Sequence, residues 1–316
     1  MVRENMYVRE AENKGKFIKP CPGTPRYLCC GYKIIDFAHG CNLGCSYCIL
    51  SSYLGNEPPT IYKNTDKLFS ELGPYLGKQR GINRFGTGEF TDSLLSEQAL
   101  GFYNALIPMF SRSKNAVLEL KTKTANINGL IKIRDHDNTI VSWSLNSNYT
   151  ARRDEKKAPG IEDRIKAAYR AQEAGFKLAF HFDPIIIHES WEDGYRRTID
   201  LIFEKIHTEN VVYISMGTLR FLPKMKNVMR KISKGNNEWE FIKGLDNKIR
   251  YFRPIRTVVY QRIKSYLQCF VEEDILYMCM ENPTVWEDVF KIRHMTTKKL
   301  TDRLDKACFD KFDLKQ

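Results

Sequence analysis

Cys41, Cys45 and Cys48 stand in the stretch HGCNLGCSYCIL with the spacing C-x3-C-x2-C. Three thiols this close together are candidate metal ligands. A closed structural zinc site takes four ligands and usually draws them as two pairs, so a triplet fits it poorly. On a [4Fe–4S] cubane, three cysteines leave one iron open to a further ligand, and a thiolate-held cluster of this kind is a one-electron donor. The alternative is a zinc half-site completed by Cys29 or Cys30. Otherwise those two and Cys21 are buried or incidental thiols.

Such a loop needs a scaffold to hold it. The chain has 316 residues and nine cysteines, with no run of about 18 apolar residues and no signal peptide. It is therefore expected to be cytoplasmic and free of the membrane, with its cysteines reduced and used for cofactor ligation, not for a disulfide framework. Apolar, β-rich runs YKIIDFA (from 32), INRFG (82), AVLELK (116), TIVSWSL (139), KLAFHFD (177) and VVYISMG (211) alternate with segments of helical periodicity. Those segments include DKLFSELGPYL, LLSEQALGFYNALIPMF, ANINGLIKI, IEDRIKAAYRAQEAG and WEDGYRRTIDLIFEKI. Six strands with helical crossovers predict an α/β fold, a partial (β/α)6 TIM-type barrel. The rhythm breaks near 236. The expected organisation is an N-terminal segment over 1–31, the barrel over 32–235, and a C-terminal extension over 236–316 packed on it. Net charge is +12 with a pI near 9.2, which permits a nucleic-acid partner without requiring one. The basic runs RRDEKK (152–157) and KMKNVMRKISK (224–234) read as solvated faces.

The cysteine triplet, with the aromatic Tyr47 before its third member, resembles the radical S-adenosylmethionine (SAM) superfamily. In that superfamily the open iron chelates SAM, and reductive cleavage yields a 5′-deoxyadenosyl radical. The stretches CSYCILSSYLG, YKNTDKLF, KTK ending at Lys123, WSLNS at 143–147, DPIIIHESWEDGY at 183–195 and MGTLRF at 216–221 are similar to the spore photoproduct lyase branch. The resemblance implies a [4Fe–4S] cluster on Cys41, Cys45 and Cys48. It also implies SAM held by Lys123 and Ser144, with Tyr47 and Asn146 beside it, and an electron donor such as flavodoxin or ferredoxin. A lysine charge and a serine hydroxyl suit the SAM carboxylate.

Two positions depart from that branch. Its members carry a second tyrosine after the third cluster cysteine, where this chain has Ile49, and a hydrogen-donating cysteine where RFGTGEFTD places Glu89. Without that relay, repair of a thymine dimer adduct lacks its way of quenching the product radical. Glu89 and Asp183 fall at strand ends, where barrel enzymes display functional groups. They could accept hydrogen bonds from the N–H edge of a guanine-like base, and His181, on the same strand face as Asp183, joins them as a candidate. Competing roles are contact with the SAM amino group for Glu89, a helix cap for Asp183 and a core hydrogen bond for His181; His188 reads as structural. Within the branch the chain resembles queuine lyase, which implies radical cleavage of a C–N bond in queuine, releasing 7-aminomethyl-7-deazaguanine for queuosine salvage. The alternative is a spore photoproduct lyase-like enzyme of DNA repair or nucleic-acid modification.

Overall fold

The computed structural model describes residues 8–24, 26–55, 57–77, 81–227, 229 and 240–314. Positions 228 and 230–234 of the second basic run, and 236–239 at the start of the extension, lie outside the described residues.

Eight strands form the main sheet: β1 (Ile18–Pro20), β2 (Lys33–Ile35), β3 (Asn83–Gly86), β4 (Ala116–Thr122), β5 (Thr139–Ser144), β6 (Lys177–Ile185), β7 (Val211–Thr218) and β8 (Leu276–Met278). Their spatial order follows the chain from β1 to β8. From β2 to β8 every neighbouring pair is parallel, and β1 pairs antiparallel with β2. Parallel neighbours need crossovers of one hand, which curl such a sheet into an open half-barrel. The six expected strands are all present. Strands from both flanking segments extend the sheet: β1 lies in the segment before residue 32 and β8 in the segment after 235.

The sequence explains the layering. All six residues of β5 and all eight of β7 are buried, as befits strands covered on both faces, which read as nearly continuous apolar runs. Helix α1 (Thr65–Leu76) connects β2 to β3 and α2 (Glu97–Ser111) connects β3 to β4; α2 starts on Ser96, whose side chain accepts from the Ala99 amide. Helix α3 (Ile161–Glu173) buries Ile161, Ile165, Ala168 and Ala171, one stripe at helical spacing. The crossover from β4 to β5 differs from expectation: ANINGLIKI holds only a 3₁₀ turn at Leu130–Lys132. Two asparagines and a glycine in nine residues favour turns over a helix too short to stand alone. Helix α4 (Trp191–Phe203) links β6 to β7, and α5 (Arg253–Leu267) lies between β7 and β8.

Polar contacts bind the flanks to the barrel and to each other. Arg84 of β3 pairs with Asp305 of the C-terminal helix α6 (Thr297–Phe309) at 2.7 Å. The Leu28 amide donates to the Glu281 carbonyl at 2.9 Å, and the Cys279 amide to Met216 of β7 at 2.9 Å. No helix among the described residues is long and apolar enough to cross a membrane.

Candidate active site

The loop that leaves β2 carries the three cysteines across the C-terminal ends of the parallel strands. It is pinned on both sides. Ala38–His39 pairs with Thr60–Tyr62, the Gly40 amide donates to Phe90 O at 2.8 Å, and Thr91 Oγ1 donates to Gly40 O at 2.7 Å. Further on, the Ser46 amide and hydroxyl donate to Asp154 O and Oδ1 at 2.9 and 2.7 Å. Gly44, at φ +62°, makes the turn between Cys41 and Cys45 in a region that costs other residues strain.

All three cysteines line one cavity of about 270 Å³. Every barrel strand from β3 to β7 contributes to its walls from its C-terminal end or the loop just beyond: Glu89 and Asp92 after β3, Lys121 and Lys123 from β4, Ser144 from β5, Asp183 from β6, and Arg220 after β7. Burial pushes the Cys41 thiol up, with Asp92 adding to it, and pushes Cys45 up to about 12. Thiolates here therefore require positive charge close by, which cluster irons supply. The donor set fits a three-cysteine cluster: three thiols share one cavity, with the Lys123 ammonium and Ser144 across it.

Behind this wall, Glu155 is fully buried and receives four groups. Tyr47 OH donates to it, Asn146 Nδ2 donates at 2.9 Å, and Lys123 Nζ stands 3.7 Å away. Arg164 Nη2 lies 2.5 Å from Oε2 as an ion pair without hydrogen-bond alignment. Burial would raise the Glu155 carboxyl, but Lys123 and Arg164 outweigh it and hold the group at about 2. Tyr47 thus lines the cavity while its hydroxyl is tied back, and Lys123 is aimed from a fixed charge. Asn146 is completely buried, donates to Glu155 and accepts from Tyr195 OH at 2.6 Å. It stands behind the cavity as a support, not among the residues that line it. The run RRDEKK is only partly the solvated face expected of it: Arg152, Lys156 and Lys157 are exposed, while Asp154 and Glu155 are buried.

Glu89 and Asp183 both line the cavity, each already paired with a cation. Glu89 Oε1 accepts from Tyr32 OH and from Lys121 Nζ at 2.6 Å. Burial would raise its carboxyl, but the Lys121 ammonium and the Tyr32 hydroxyl hold it below the ordinary value. Asp183 Oδ2 accepts from Arg220 Nη2 at 2.9 Å. Its carboxylate lies against Gly217, where an added Cβ would come within 2.6–2.8 Å of the carboxylate carbon and oxygens, so only glycine leaves it room. The site therefore presents two carboxylate–cation pairs in place of bare carboxylates. Ile49 lines the same cavity one residue after the last cysteine.

His181 lies deeper, in an adjoining chamber of about 120 Å³ whose wall includes Glu89, Lys121, Ser144, Asp183 and Arg220. Its Nε2 faces Glu119 Oε1 at 2.5 Å and its Nδ1 faces Ser215 Oγ at 2.6 Å. A carboxylate only accepts, so Nε2 carries a proton, and both ring nitrogens are engaged by the protein. His188 is bound to Ser147 Oγ at 2.8 Å, a structural placement. Asp92, Lys121, Glu119, Glu155 and Arg220 were not singled out from sequence. The signal for two of them was present: in LELKTK, Glu119, Lys121 and Lys123 alternate along one strand and share one face. Asp92 accepts from the Lys123 amide at 2.6 Å and from Thr122 Oγ1 at 2.6 Å, fixing the end of β4.

A curled parallel half-barrel with a three-cysteine loop at the strand C-termini, facing a lysine and a serine, has the architecture of the radical SAM class. The spore photoproduct lyase family matches residues 29–273, and the chain belongs to that family. It is 26% identical over 200 residues to the spore photoproduct lyase of Clostridium acetobutylicum, a match covering 63% of this chain and 59% of the relative. Against that of Bacillus subtilis it is 30% identical over 175 residues, covering 54% of this chain and 50% of the relative. The chain thus spans about half the length of the curated relatives it matches. A solved spore photoproduct lyase complexed with dinucleoside spore photoproduct superposes with a TM-score of 0.72 at 21% identity, over 86% of this chain and 81% of that one. A variant of that lyase with bound AdoMet and the same dinucleoside gives the same TM-score.

Proposed function

We propose that the chain is a radical SAM lyase acting on a nucleobase substrate, with a dinucleoside photoproduct-type lesion in DNA favoured over a free deazaguanine. The observation that carries this is the single cavity bringing Cys41, Cys45 and Cys48 together with Lys123, Ser144 and the two carboxylate–cation pairs. The cysteines would hold a [4Fe–4S] cluster, which when bound with SAM supplies a 5′-deoxyadenosyl radical. Lys123 and Ser144 would hold the SAM carboxylate, Lys123 with its charge directed by Glu155. The substrate would lie toward Glu89–Lys121 and Asp183–Arg220. Each pair sets an acceptor beside a donor, the pattern that a base edge with adjacent C=O and N–H groups satisfies, and two pairs suit two bases. Family membership and the net charge of +12 support the nucleic-acid substrate.

The queuine reading finds no support in the comparisons. It rests on Glu89 and Ile49 in place of the relay residues, and on two carboxylates that a guanine-like edge could engage. One experiment separates these readings. Anaerobically reconstituted protein is given SAM, a strong reductant and either dinucleoside spore photoproduct or queuine, and 5′-deoxyadenosine and product are measured together. Repaired dinucleoside supports the main reading, and aminomethyl deazaguanine supports the second. A protein that takes up no iron and makes no 5′-deoxyadenosine refutes both.

A further inference from the structure

Lys248 lines the cavity from the C-terminal extension, in the turn between the antiparallel strands Phe241–Lys243 and Ile249–Tyr251. That turn is held in place. The Gly244 amide donates to Lys248 O at 2.8 Å and the Asn247 amide to Gly244 O at 3.1 Å, with Asn247 at φ +62°. Tyr27 OH accepts from the Leu245 amide at 3.1 Å, and the Arg250 guanidinium carbon stands over the Tyr27 ring, 4.0 Å from its centroid. A Cβ at Gly244 would come within 2.7 Å of Arg250 Nε and the Tyr27 hydroxyl, so the turn is closed tightly on these two side chains.

What Lys248 lacks is a counter-charge. Four cations line the cavity among the described residues, and three have carboxylates: Lys121 with Glu89 at 2.6 Å, Arg220 with Asp183 at 2.9 Å, and Lys123 with Glu155 at 3.7 Å. Among the described residues the Lys248 ammonium meets only neutral atoms: it donates to Thr24 Oγ1 at 3.0 Å and stands 4.0 Å from Met280 Sδ. Asp246 is committed elsewhere, its Oδ2 accepting from Arg250 Nη2 at 2.5 Å and its Oδ1 from the Lys248 amide at 3.2 Å. An ammonium has three N–H groups and a thioether is a weak acceptor, so donor capacity remains for a ligand. Burial and the Arg220 guanidinium push the Lys248 ammonium below its usual value, as expected of a cation short of an anion. It lies on the side of the substrate pairs: Met280 follows Cys279, whose Sγ is 3.8 Å from Arg220 Nη2, the atom that donates to Asp183.

We propose that Lys248 binds the phosphodiester joining the two bases of the lesion, so that the cavity selects a phosphate-linked dinucleotide over the bare dinucleoside. The inference rests on the substrate reading above, in which Glu89–Lys121 and Asp183–Arg220 engage two bases. Two bases joined through their backbone bring a single phosphodiester with its negative charge, and the cavity offers a single cation with no carboxylate of its own. A lysine suits a phosphate as a point charge, and a partly desolvated ammonium gains more from an anion than an exposed one does.

The test uses the full chain, reconstituted and loaded with SAM but given no reductant, so that binding is read without turnover. Equilibrium affinity is measured for spore photoproduct as the dinucleoside and as the dinucleotide bearing the internucleotide phosphodiester. Wild type should bind the phosphodiester form about ten- to a hundredfold more tightly, as one charge-assisted hydrogen bond allows, and added salt should narrow the ratio. In Lys248→Gln the ratio should fall to within about twofold of unity, and Lys248→Arg should retain most of it. The inference alone falls if wild type binds the two forms alike, or if Lys248→Gln keeps the ratio, as it would were the residue merely structural and both forms weakened equally. If neither form binds, the substrate reading falls and this inference with it.

Discussion

Replacing Glu155 with Gln isolates the buried charge that aims Lys123 and ties back Tyr47. The amide keeps the size and one acceptor, so Asn146 and Tyr47 can still donate to it, but Arg164 and Lys123 lose their counter-charge. Arg164 has no exposure through which water could compensate. Two independent routes give the magnitude. Breaking a buried ion pair by removing one partner costs about 3–5 kcal/mol. A carboxyl held at about 2 against an ordinary 4.5 contributes about 3 kcal/mol at neutral pH. Because the folded value is depressed, the contribution is complete above 4.5 and is lost as pH falls from 4.5 through 2. At pH 3.5 the gap between wild type and Glu155→Gln should therefore be narrower than at pH 7 by about 1.4 kcal/mol. The assay is urea denaturation of the apo-protein at both pH values, with Glu287→Gln as control. Glu287 is half exposed, and its 3.5 Å contact with Arg293 is of a kind worth about 0–1 kcal/mol. A Glu155→Gln gap below about 1 kcal/mol at pH 7, or one indifferent to pH, would refute the reasoning.

Alanine at any one of Cys41, Cys45 or Cys48 should abolish the iron-dependent absorbance of reconstituted protein, while Cys269→Ala should leave it intact; equal loss in both would undo the three-ligand reading. Lys123→Ala should weaken SAM binding about ten- to a hundredfold through loss of one charge-assisted hydrogen bond, with iron content unchanged. Equilibrium binding of SAM to reconstituted protein decides this, and unchanged affinity removes Lys123 from the site. Asp183→Asn turns an acceptor into a donor beside Arg220. It should cut substrate turnover about ten- to a hundredfold while SAM cleavage without substrate stays near wild type, so turnover within twofold of wild type would count against Asp183 as a substrate contact.

The barrel was legible because its strands are buried on both faces, so AVLELK, TIVSWSL and VVYISMG announce themselves without reference to partners. Strand β8 was not, because three residues after a long helical excursion carry too little pattern to be told from a loop. The cysteine loop was legible from spacing alone, whereas the network behind it was hidden. Asp154 and Glu155 sit in a run of six charged residues, and composition there says solvent. Only the approach of Arg164 and Lys123 from other elements makes burial of Glu155 tolerable. Asn146 shows the same limit from the other side. Its place in WSLNS put it near the cofactor, but the inward alternation of a strand ends at Ser144, and beyond it the chain turns Asn146 toward Glu155 and Tyr195.

The pairing of Glu89 and Asp183 changes what these residues can recognise. A bare buried carboxylate would select for N–H groups alone and would incur a heavy desolvation cost before any ligand arrived. Paired with Lys121 and Arg220, each carboxylate has a cation beside it in the free protein, and the ligand meets an acceptor and a donor side by side. Discrimination then comes from the whole edge of the ligand, because an analogue offering only donors leaves the N–H groups of Lys121 and Arg220 that face the cavity without an acceptor on the ligand. Ile49 and Glu89 stand where the resemblance implies a tyrosine and a hydrogen-donating cysteine, and Glu89 itself forms part of this donor–acceptor framework. On the proposed function, substrate recognition and radical quenching are separable. If the dinucleoside binds but yields 5′-deoxyadenosine without repaired product, recognition has been retained while quenching requires a donor other than the residue at position 89.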